Sequence, residues 1–216
     1  MKKRVFCLLL ALMLLCTVPA MASQDTAAFL RHFRYGQLTE YENRAFQYAV
    51  GIYGKFWMYS DEALEEFMMD LEENASEDDE ELYDLRVWVS PDRRYAVEIQ
   101  VKEPTYESFA VEVEKAAEVA AKEQKYYEPG QELKQLHDGI LRDTPAGQML
   151  ETAMSYNMSD GEGNTIPVVY VYYDYYHENV EYIFAVTNFM GDYESAQAML
   201  DEMMQTVRIG AGGAVM

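Results

Sequence analysis

One stretch of the sequence, TIPVVYVYYDYYHENVEYIFAV at residues 165–186, constrains the fold more than any other because it has no polar side. It holds five tyrosines between positions 170 and 176. With Asn179 as the left-handed residue of a three-residue loop, Tyr172 would lie opposite Phe184, and both faces of the hairpin would be apolar. A strand that is apolar on both faces lies inside a sheet that is covered on both sides. The tyrosines are therefore expected to be mostly core, with some hydroxyl groups at a rim that a partner could contact, namely those of Tyr170, Tyr172 and Tyr176.

A second hairpin is predicted for residues 82–102, LYDLRVWVSPDRRYAVEIQVK, with its turn at the SPDR sequence. Matching the apolar faces of its two strands pairs Leu85 with Ile99. The same register pairs Arg86 with Glu98, a cross-strand contact of opposite charges. The alternate residues of the second strand would then lie on a partly solvated face, and these are Ala96, Glu98, Gln100 and Lys102.

The rest of the chain alternates helical and extended patterns. Residues 46–59 are aromatic and β-branched with interrupting glycines, which indicates two short strands or one kinked strand. Residues 126–147 contain two prolines and three glycines and are predicted to be irregular chain with at most one short strand. The remaining predictions are a helix that begins after Ser60, a long helix over residues 106–124, strands over 149–158, 165–176 and 180–189, a helix over 193–206 and an edge strand over 207–209.

This order predicts an α+β fold, a mostly antiparallel sheet covered by helices on both faces, which is an α/β/α sandwich. The segments KFWMYSDEALEEF and EYIFAVTNFMGDYESAQAMLDEMMQTVRI occupy its two ends. In these segments and in the order of its elements, the chain resembles the PsbP-like family across most of residues 46–209. The resemblance implies the α/β/α sandwich and a non-enzymatic adaptor or secreted protein, and it implies no particular site residues.

The N-terminus has the pattern of a signal peptide. A basic start at Lys2, Lys3 and Arg4 precedes an apolar run that is too short to cross a bilayer as a helix, and Ala20-Met21-Ala22 matches the small-x-small cleavage site. Both cysteines lie in this segment, so the mature chain is expected to have no disulfide and no thiolate chemistry. The short basic start is typical of a bacterial protein. The predicted organisation is a signal peptide at 1–22, an N-terminal arm at 23–40, one α/β/α domain at 41–210 and a flexible tail at 211–216.

The mature chain is strongly acidic, because loss of the three basic residues of the signal peptide takes the formal net charge from −21 to −24. Phosphate backbones repel such a charge, so a nucleic-acid partner is not expected. The expected partner is a basic protein or a cell-surface component. Residues 61–84 hold 13 acidic residues and no basic one. We predict that this run is a binding surface, although a merely solvated face is the competing interpretation. Its candidate residues are Glu62, Glu65, Glu66, Asp70, Glu77, Asp78 and Asp79.

No cofactor, metal site or catalytic residue is predicted. The three histidines, His32, His137 and His177, are too scattered to act as a ligand set. His137 and Asp138 could be a base and its orienting group, but adjacent residues of a strand point to opposite faces. The prediction is a secreted or cell-envelope, non-enzymatic binding or adaptor domain that interacts through an acidic surface and has no transmembrane span after signal cleavage. Two alternatives stay open, a carboxylate-dependent hydrolase and an acidic envelope protein whose charge serves solubility alone.

Overall fold

The structure, a computed structural model, describes residues 38–54, 56–64, 81–123, 133–159 and 164–210. The predicted signal peptide and tail therefore lie outside the described residues, as does most of the acidic run. No helix in the described ranges is both long enough and apolar enough to cross a membrane. The helices are α1 (Phe109–Glu123) and α2 (Tyr193–Met204), and residues 61–64 are also helical.

Ten strands form two antiparallel sheets in the described residues. The larger sheet has the order β3-β4-β5-β9-β8-β7-β6, and the smaller has the order β1-β2-β10. The strands are β1 (Leu38–Asn43), β2 (Tyr48–Tyr53), β3 (Trp57–Met58), β4 (Leu82–Val89), β5 (Tyr95–Lys102), β6 (Lys134–Thr144), β7 (Gly147–Ser159), β8 (Thr165–His177), β9 (Val180–Asn188) and β10 (Arg208–Ile209). The predicted α+β class with a mostly antiparallel sheet is confirmed.

The main core lies on one face of the seven-stranded sheet, which we call the α2 face. Helix α2 packs there against β8 and β9, and the small sheet packs beside it. Asp192 caps the N-terminus of the helix, because its side chain accepts a hydrogen bond from the Ser195 backbone N–H and so satisfies one of the free donors of the first turn. Its buried residues recur at helical spacing and close the core, and they are Ala196, Leu200, Met203 and Met204.

The opposite face, which we call the α1 face, carries the alternate residues of the same strands. Tyr170, Tyr172 and Ile183 form one apolar cluster there, and Leu85 and Val87 belong to another. Helix α1 contacts β6. Both faces of β8 are therefore buried, which confirms that its tyrosines are mostly core.

The predicted register of the β4–β5 hairpin is wrong by one residue. Leu85 lies opposite Gln100, and Arg86 lies opposite Ile99. The predicted register requires that each strand has only one buried face. Strand β5 is buried on both faces, so the apolar residues of β4 and β5 need not lie on the same face. The expected solvated face is also wrong, since it is buried throughout at Ala96, Glu98, Gln100 and Lys102.

The β8–β9 hairpin shows the same kind of error. Tyr172 lies opposite Ala185 and not Phe184, because the loop has two residues instead of three. Asn179 does adopt the predicted left-handed conformation, with φ 63°, but Glu178 adopts it as well, with φ 49°. Two consecutive left-handed residues make the tight turn that matches the twist of the flanking strands.

The prediction for residues 126–147 is also corrected, because β6 occupies Lys134–Thr144. Gly139, with φ 95°, lies where the register of β6 against β7 shifts, so this glycine marks an irregularity inside a strand and not a loop. The predicted three-strand meander is confirmed, and so are the terminal helix and the short final strand. The predicted helix start at Ser60 is confirmed as well, since the Ser60 hydroxyl accepts a hydrogen bond from the Ala63 backbone N–H.

Candidate functional site

The structure places few of the predicted binding residues at the surface. Among those of the acidic run only Glu62 is described, and it is exposed in the first helical turn after Ser60. Tyr170 and Tyr172 are core residues with exposed fractions of 5% and 4%. Tyr176 is partly exposed, and its hydroxyl donates to Glu181 Oε2 at 2.9 Å. The remaining candidates lie outside the described residues: Glu65, Glu66, Asp70, Glu77, Asp78 and Asp79.

The α1 face holds a buried group of carboxylates that we call the Glu181 cluster. Glu112 of α1, Asp174 of β8 and Glu181 of β9 are all buried, and one carboxylate oxygen from each lies within 4.8 Å of the others. Lys102 Nζ forms an ion pair with Glu181 Oε1 at 3.2 Å. The Thr105 backbone N–H donates to Glu181 Oε2 at 2.7 Å. Polar contacts from β5 and from the loop before α1 therefore hold Glu181, and Glu112 of α1 lies close to it.

The charge of the Glu181 cluster is dominated by its carboxylates. Burial raises the pKa of the Tyr176 hydroxyl well above its usual range, and the nearby charges of Glu181 and Glu112 raise it further. Carboxylate oxygens are the ligands that calcium and magnesium prefer, so these three acids are the described residues whose chemistry and spacing suit a hard cation. The sequence did not indicate this group, because Glu112 is distant along the chain from Asp174 and Glu181, which lie on the two strands of one hairpin.

A second buried site is centred on the carboxylate of Glu151 of β7 and lies on the α2 face. His137 Nε2 lies 2.8 Å from Glu151 Oε1, and Arg142 Nε lies 2.5 Å from Glu151 Oε2. The Tyr193 hydroxyl donates to Glu151 Oε1 at 2.8 Å, and the Tyr173 hydroxyl lies 3.3 Å from Glu151 Oε2. We call these five residues the Glu151 cluster. It links β6, β7 and β8 to the first turn of α2.

Glu151 is held as a carboxylate by its partners. Burial alone would raise its pKa, but the hydrogen bonds from His137, Arg142 and Tyr193 outweigh burial and lower the pKa to about 2. Burial raises the pKa of the Tyr193 hydroxyl to about 12, and the hydrogen bond to Glu151 acts in the same direction, whereas the charge of Arg142 opposes it. The cluster is thus a charge-assisted network around a permanent anion, and such networks are strong where water is excluded.

His137 and Glu151 have the geometry of a base and its orienting carboxylate. In this pair, however, Nε2 faces the carboxylate, while Nδ1 is buried without a hydrogen-bond partner among the described residues. A general base must reach the proton that it removes, and a buried nitrogen does not. Sequence reasoning considered Asp138 as the partner of His137. The true partner lies on the neighbouring strand, and only the β6–β7 register could have identified it.

Arg86 does not pair with Glu98 as predicted. Its guanidinium lies 2.9 Å from Asp84 Oδ1 and 2.5 Å from Asp61 Oδ1. The Tyr48 hydroxyl also donates to Asp84, at 2.9 Å. Arg86 therefore ties β4 to the helical turn at residues 61–64. Glu98 instead receives a hydrogen bond from Gln100, its neighbour two residues along β5.

Strand β6 is one of the two outer strands of the large sheet in the described residues, and it exposes apolar side chains. The described residues include four large hydrophobic side chains that are clearly exposed, and three of them are Leu136, Ile140 and Leu141, with exposed fractions of 42%, 38% and 45%. We call these three residues and their backbone the β6 edge. The fourth, Met190, lies in the turn before α2. Because the order of the sheet ends at β6, its outer side has no neighbouring strand in the part of the chain that the structure describes.

Helix α2 approaches β6 at its first turn and is an acidic helix. Tyr193 in its first turn contacts His137 of β6, their ring centroids 6.0 Å apart. From residue 192 to residue 207 the sequence contains no lysine or arginine. The acidic residues of this stretch are all exposed: Asp192, Glu194, Asp201 and Glu202.

The structure is similar to solved structures at low sequence identity. Cyanobacterial PsbP from Synechocystis sp. PCC 6803 is 7% identical, with a TM-score of 0.48, over 83% of this chain and 96% of that one. LpqN of Mycobacterium tuberculosis, a protein involved in cell envelope biogenesis, is 12% identical, with a TM-score of 0.47, over 88% of this chain and 99% of that one. The first of these two proteins is a PsbP, the family that the sequence resembles. No family model and no curated protein sequence matches the chain. Similarity at these levels describes the course of the chain and does not identify what the protein binds.

Proposed function

We propose that the protein is a secreted, non-enzymatic binding domain that contacts a polypeptide partner through the β6 edge. One observation carries the proposal: of the four large hydrophobic side chains that are exposed in the described ranges, three lie on one outer strand. Apolar groups gathered at one place on a surface mark interaction sites, and an open strand edge offers backbone groups for pairing. In this proposal residues 1–22 are removed, the mature chain begins at Ser23, and helices cover both faces of the sheet.

The acidic surface has a supporting role in the proposed function. A net charge of −24 in the mature chain attracts basic proteins or basic cell-surface components over a distance, and charge of this kind raises association rates more than it raises affinity. Apolar contact at the β6 edge then supplies the short-range part of binding. The acidic residues that the sequence singled out, from Glu62 to Asp79, belong to the attracting surface in this proposal.

The test is a comparison of three baits with the producing cell's envelope fraction. The mature protein, its Leu141→Arg variant and its Met190→Arg variant are immobilised, and recovered proteins are identified after crosslinking. Met190→Arg is the matched control, because it makes the same charge change at another exposed apolar position. The proposal expects a partner that the wild type and Met190→Arg recover and that Leu141→Arg does not. Equal recovery by all three baits would place the interface elsewhere, and no recovery would favour the solubility-only alternative.

A carboxylate-dependent hydrolase is the second candidate, and the His137–Glu151 pair is the observation that favours it. Its test is turnover of chromogenic esters, glycosides and peptides by the wild type and by His137→Gln. Turnover that depends on His137 would establish the enzyme and displace the binding proposal. We expect none, because Glu151 is already engaged by Arg142 and Tyr193 as well as by His137.

A further inference from the structure

We propose that the β6 edge receives its partner as an added β-strand with basic side chains on one face and apolar side chains on the other. This inference rests on the proposed function and gives the mode of binding and the chemistry of the partner. It follows from the register of β6, from the two faces of that strand and from the charge of α2.

The register confines pairing to one half of β6. From Ile140 to Thr144 the strand pairs with β7 without interruption, whereas two register shifts lie between Gln135 and Ile140. Irregularities of this kind bend a strand and end regular pairing. In an antiparallel pair, alternate residues turn their N–H and C=O groups away from the partner strand. The stretch from Ile140 to Thr144 therefore offers regular outward backbone groups to a short incoming strand.

The two faces of this stretch differ in chemistry. Leu141 lies opposite Leu150, which in turn lies opposite Asp174, so Leu141 belongs to the α1 face. Its exposed side chain suits an apolar neighbour. Arg142 lies opposite the buried Met149 on the α2 face, and its charge is already paired with Glu151. An added strand would thus place alternate side chains next to Leu141 on the α1 face, and next to Ile140 and Arg142 on the α2 face.

The charge of α2 indicates which side chains the added strand should have on the α2 face. The helix has acidic residues and no basic ones, and Asp201 accepts a hydrogen bond from the hydroxyl of Tyr173, which belongs with Arg142 to the Glu151 cluster. Basic side chains on the incoming strand would therefore be favoured there. A second copy of this chain is disfavoured as the occupant, because each mature copy carries a net charge of −24.

The probes are two synthetic eight-residue peptides, one alternating lysine and valine and one alternating glutamate and valine. Their binding to the mature protein is measured by fluorescence anisotropy. We expect the lysine peptide to bind at least about tenfold more tightly, which corresponds to about 1.4 kcal/mol. Its affinity should fall when salt is raised from about 0.1 M to about 1 M, because exposed charges are then screened. Equal binding of the two peptides would overturn the charge argument.

Strand addition is tested separately from charge with two N-methylated lysine peptides. Methyl groups on alternate backbone nitrogens remove the N–H groups on one edge of the peptide, and the two peptides carry them on opposite edges. Only one edge can face β6, so we expect one peptide to lose binding and the other to keep it. Retention by both would show ionic association with the surface and overturn the inference.

Variants of the protein separate this inference from the proposed function. Leu141→Arg should weaken binding of the lysine peptide at least about tenfold, and Met190→Arg should leave it unchanged. If a captured partner depends on Leu141 but no peptide binds, the binding domain stands and strand addition is wrong. If sedimentation shows a dimer that Leu141→Arg abolishes, the occupant is a second copy, and the inference is also wrong.

Discussion

Glu98 provides a direct test of how the large sheet is buried. Its carboxyl group lies on β5 with an exposed fraction of 2%, between Val87 of β4 and Ala185 of β9. Burial raises the pKa of Glu98 to about 7, although the hydrogen bond from Gln100 acts in the opposite direction. In an unfolded chain a glutamate has a pKa of about 4.3. The folded protein therefore binds this proton more tightly than the unfolded chain does.

The sign of the effect on stability follows from the binding of that proton. The contribution of Glu98 is fully present below about pH 4.3, falls as the pH rises through about 7, and is constant above that value. Each unit of pKa difference corresponds to 1.36 kcal/mol, so the total loss is about 3 to 4 kcal/mol. Other titrating groups contribute as well, which is why a variant that lacks only this carboxyl group is needed.

The assay is urea unfolding of the wild type and of Glu98→Gln at several pH values between about 4 and 8. The variant keeps the size of the side chain and cannot ionise. Its stability relative to the wild type should therefore rise by about 3 kcal/mol between the two ends of this range. Glu107→Gln, the same change at an exposed position, is the control and should show no comparable trend. A difference between Glu98→Gln and the wild type that does not vary with pH would refute the burial of this carboxyl group.

Three further substitutions test other parts of the structure by chemical denaturation. Glu151→Gln removes the anion that His137 and Arg142 contact and should cost about 3 kcal/mol, so a loss below about 1 kcal/mol would contradict the network. Glu178→Gly relieves a left-handed conformation in the β8–β9 turn and should stabilise the protein by up to about 1 kcal/mol, whereas destabilisation would count against that turn. Gly139→Ala should cost about 1 to 3 kcal/mol, because a Cβ there would lie 3.0 Å from a side chain of α1 at a φ of 95°, and a neutral result would show that α1 does not approach β6 so closely.

The sequence predicted which segments form elements better than it predicted their registers. The meander and the final helix have long, uniform patterns, and both were found as predicted. Both hairpin registers were wrong by one residue. The alternation of apolar and polar residues fixes a register only when one face of the strand is polar, and these strands have two apolar faces. Trp88 shows the problem, since it is buried beside Val97 on one face while its neighbours Val87 and Val89 are buried on the other.

Little of the candidate site could be predicted from the sequence. The length of β6 was not predicted, since glycine and proline at positions 139 and 145 indicate a loop and leave room for one short strand at most. In the structure Gly139 lies inside the 11-residue strand and Pro145 lies in the turn after it. Glu151 is one acidic residue among 38, and nothing in its local sequence distinguishes it. Its partners come from β6, β8 and α2, so only the cross-strand register brings them together.

The order of strands in the large sheet has a consequence for how the chain folds. Its middle strand, β9, begins only at Val180, and its neighbour β5 ends at Lys102. Strands β6 to β9 are successive hairpins that can form locally. Pairing β5 with β9 first requires closing a long connection, which loses chain entropy before any contact between the two strands forms. Such distant pairings fold slowly. For a chain exported N-terminus first, as the predicted signal peptide implies, β4 and β5 would emerge with both apolar faces uncovered and wait for the last part of the chain. We therefore expect the newly exported protein to depend on holdase chaperones until β9 arrives.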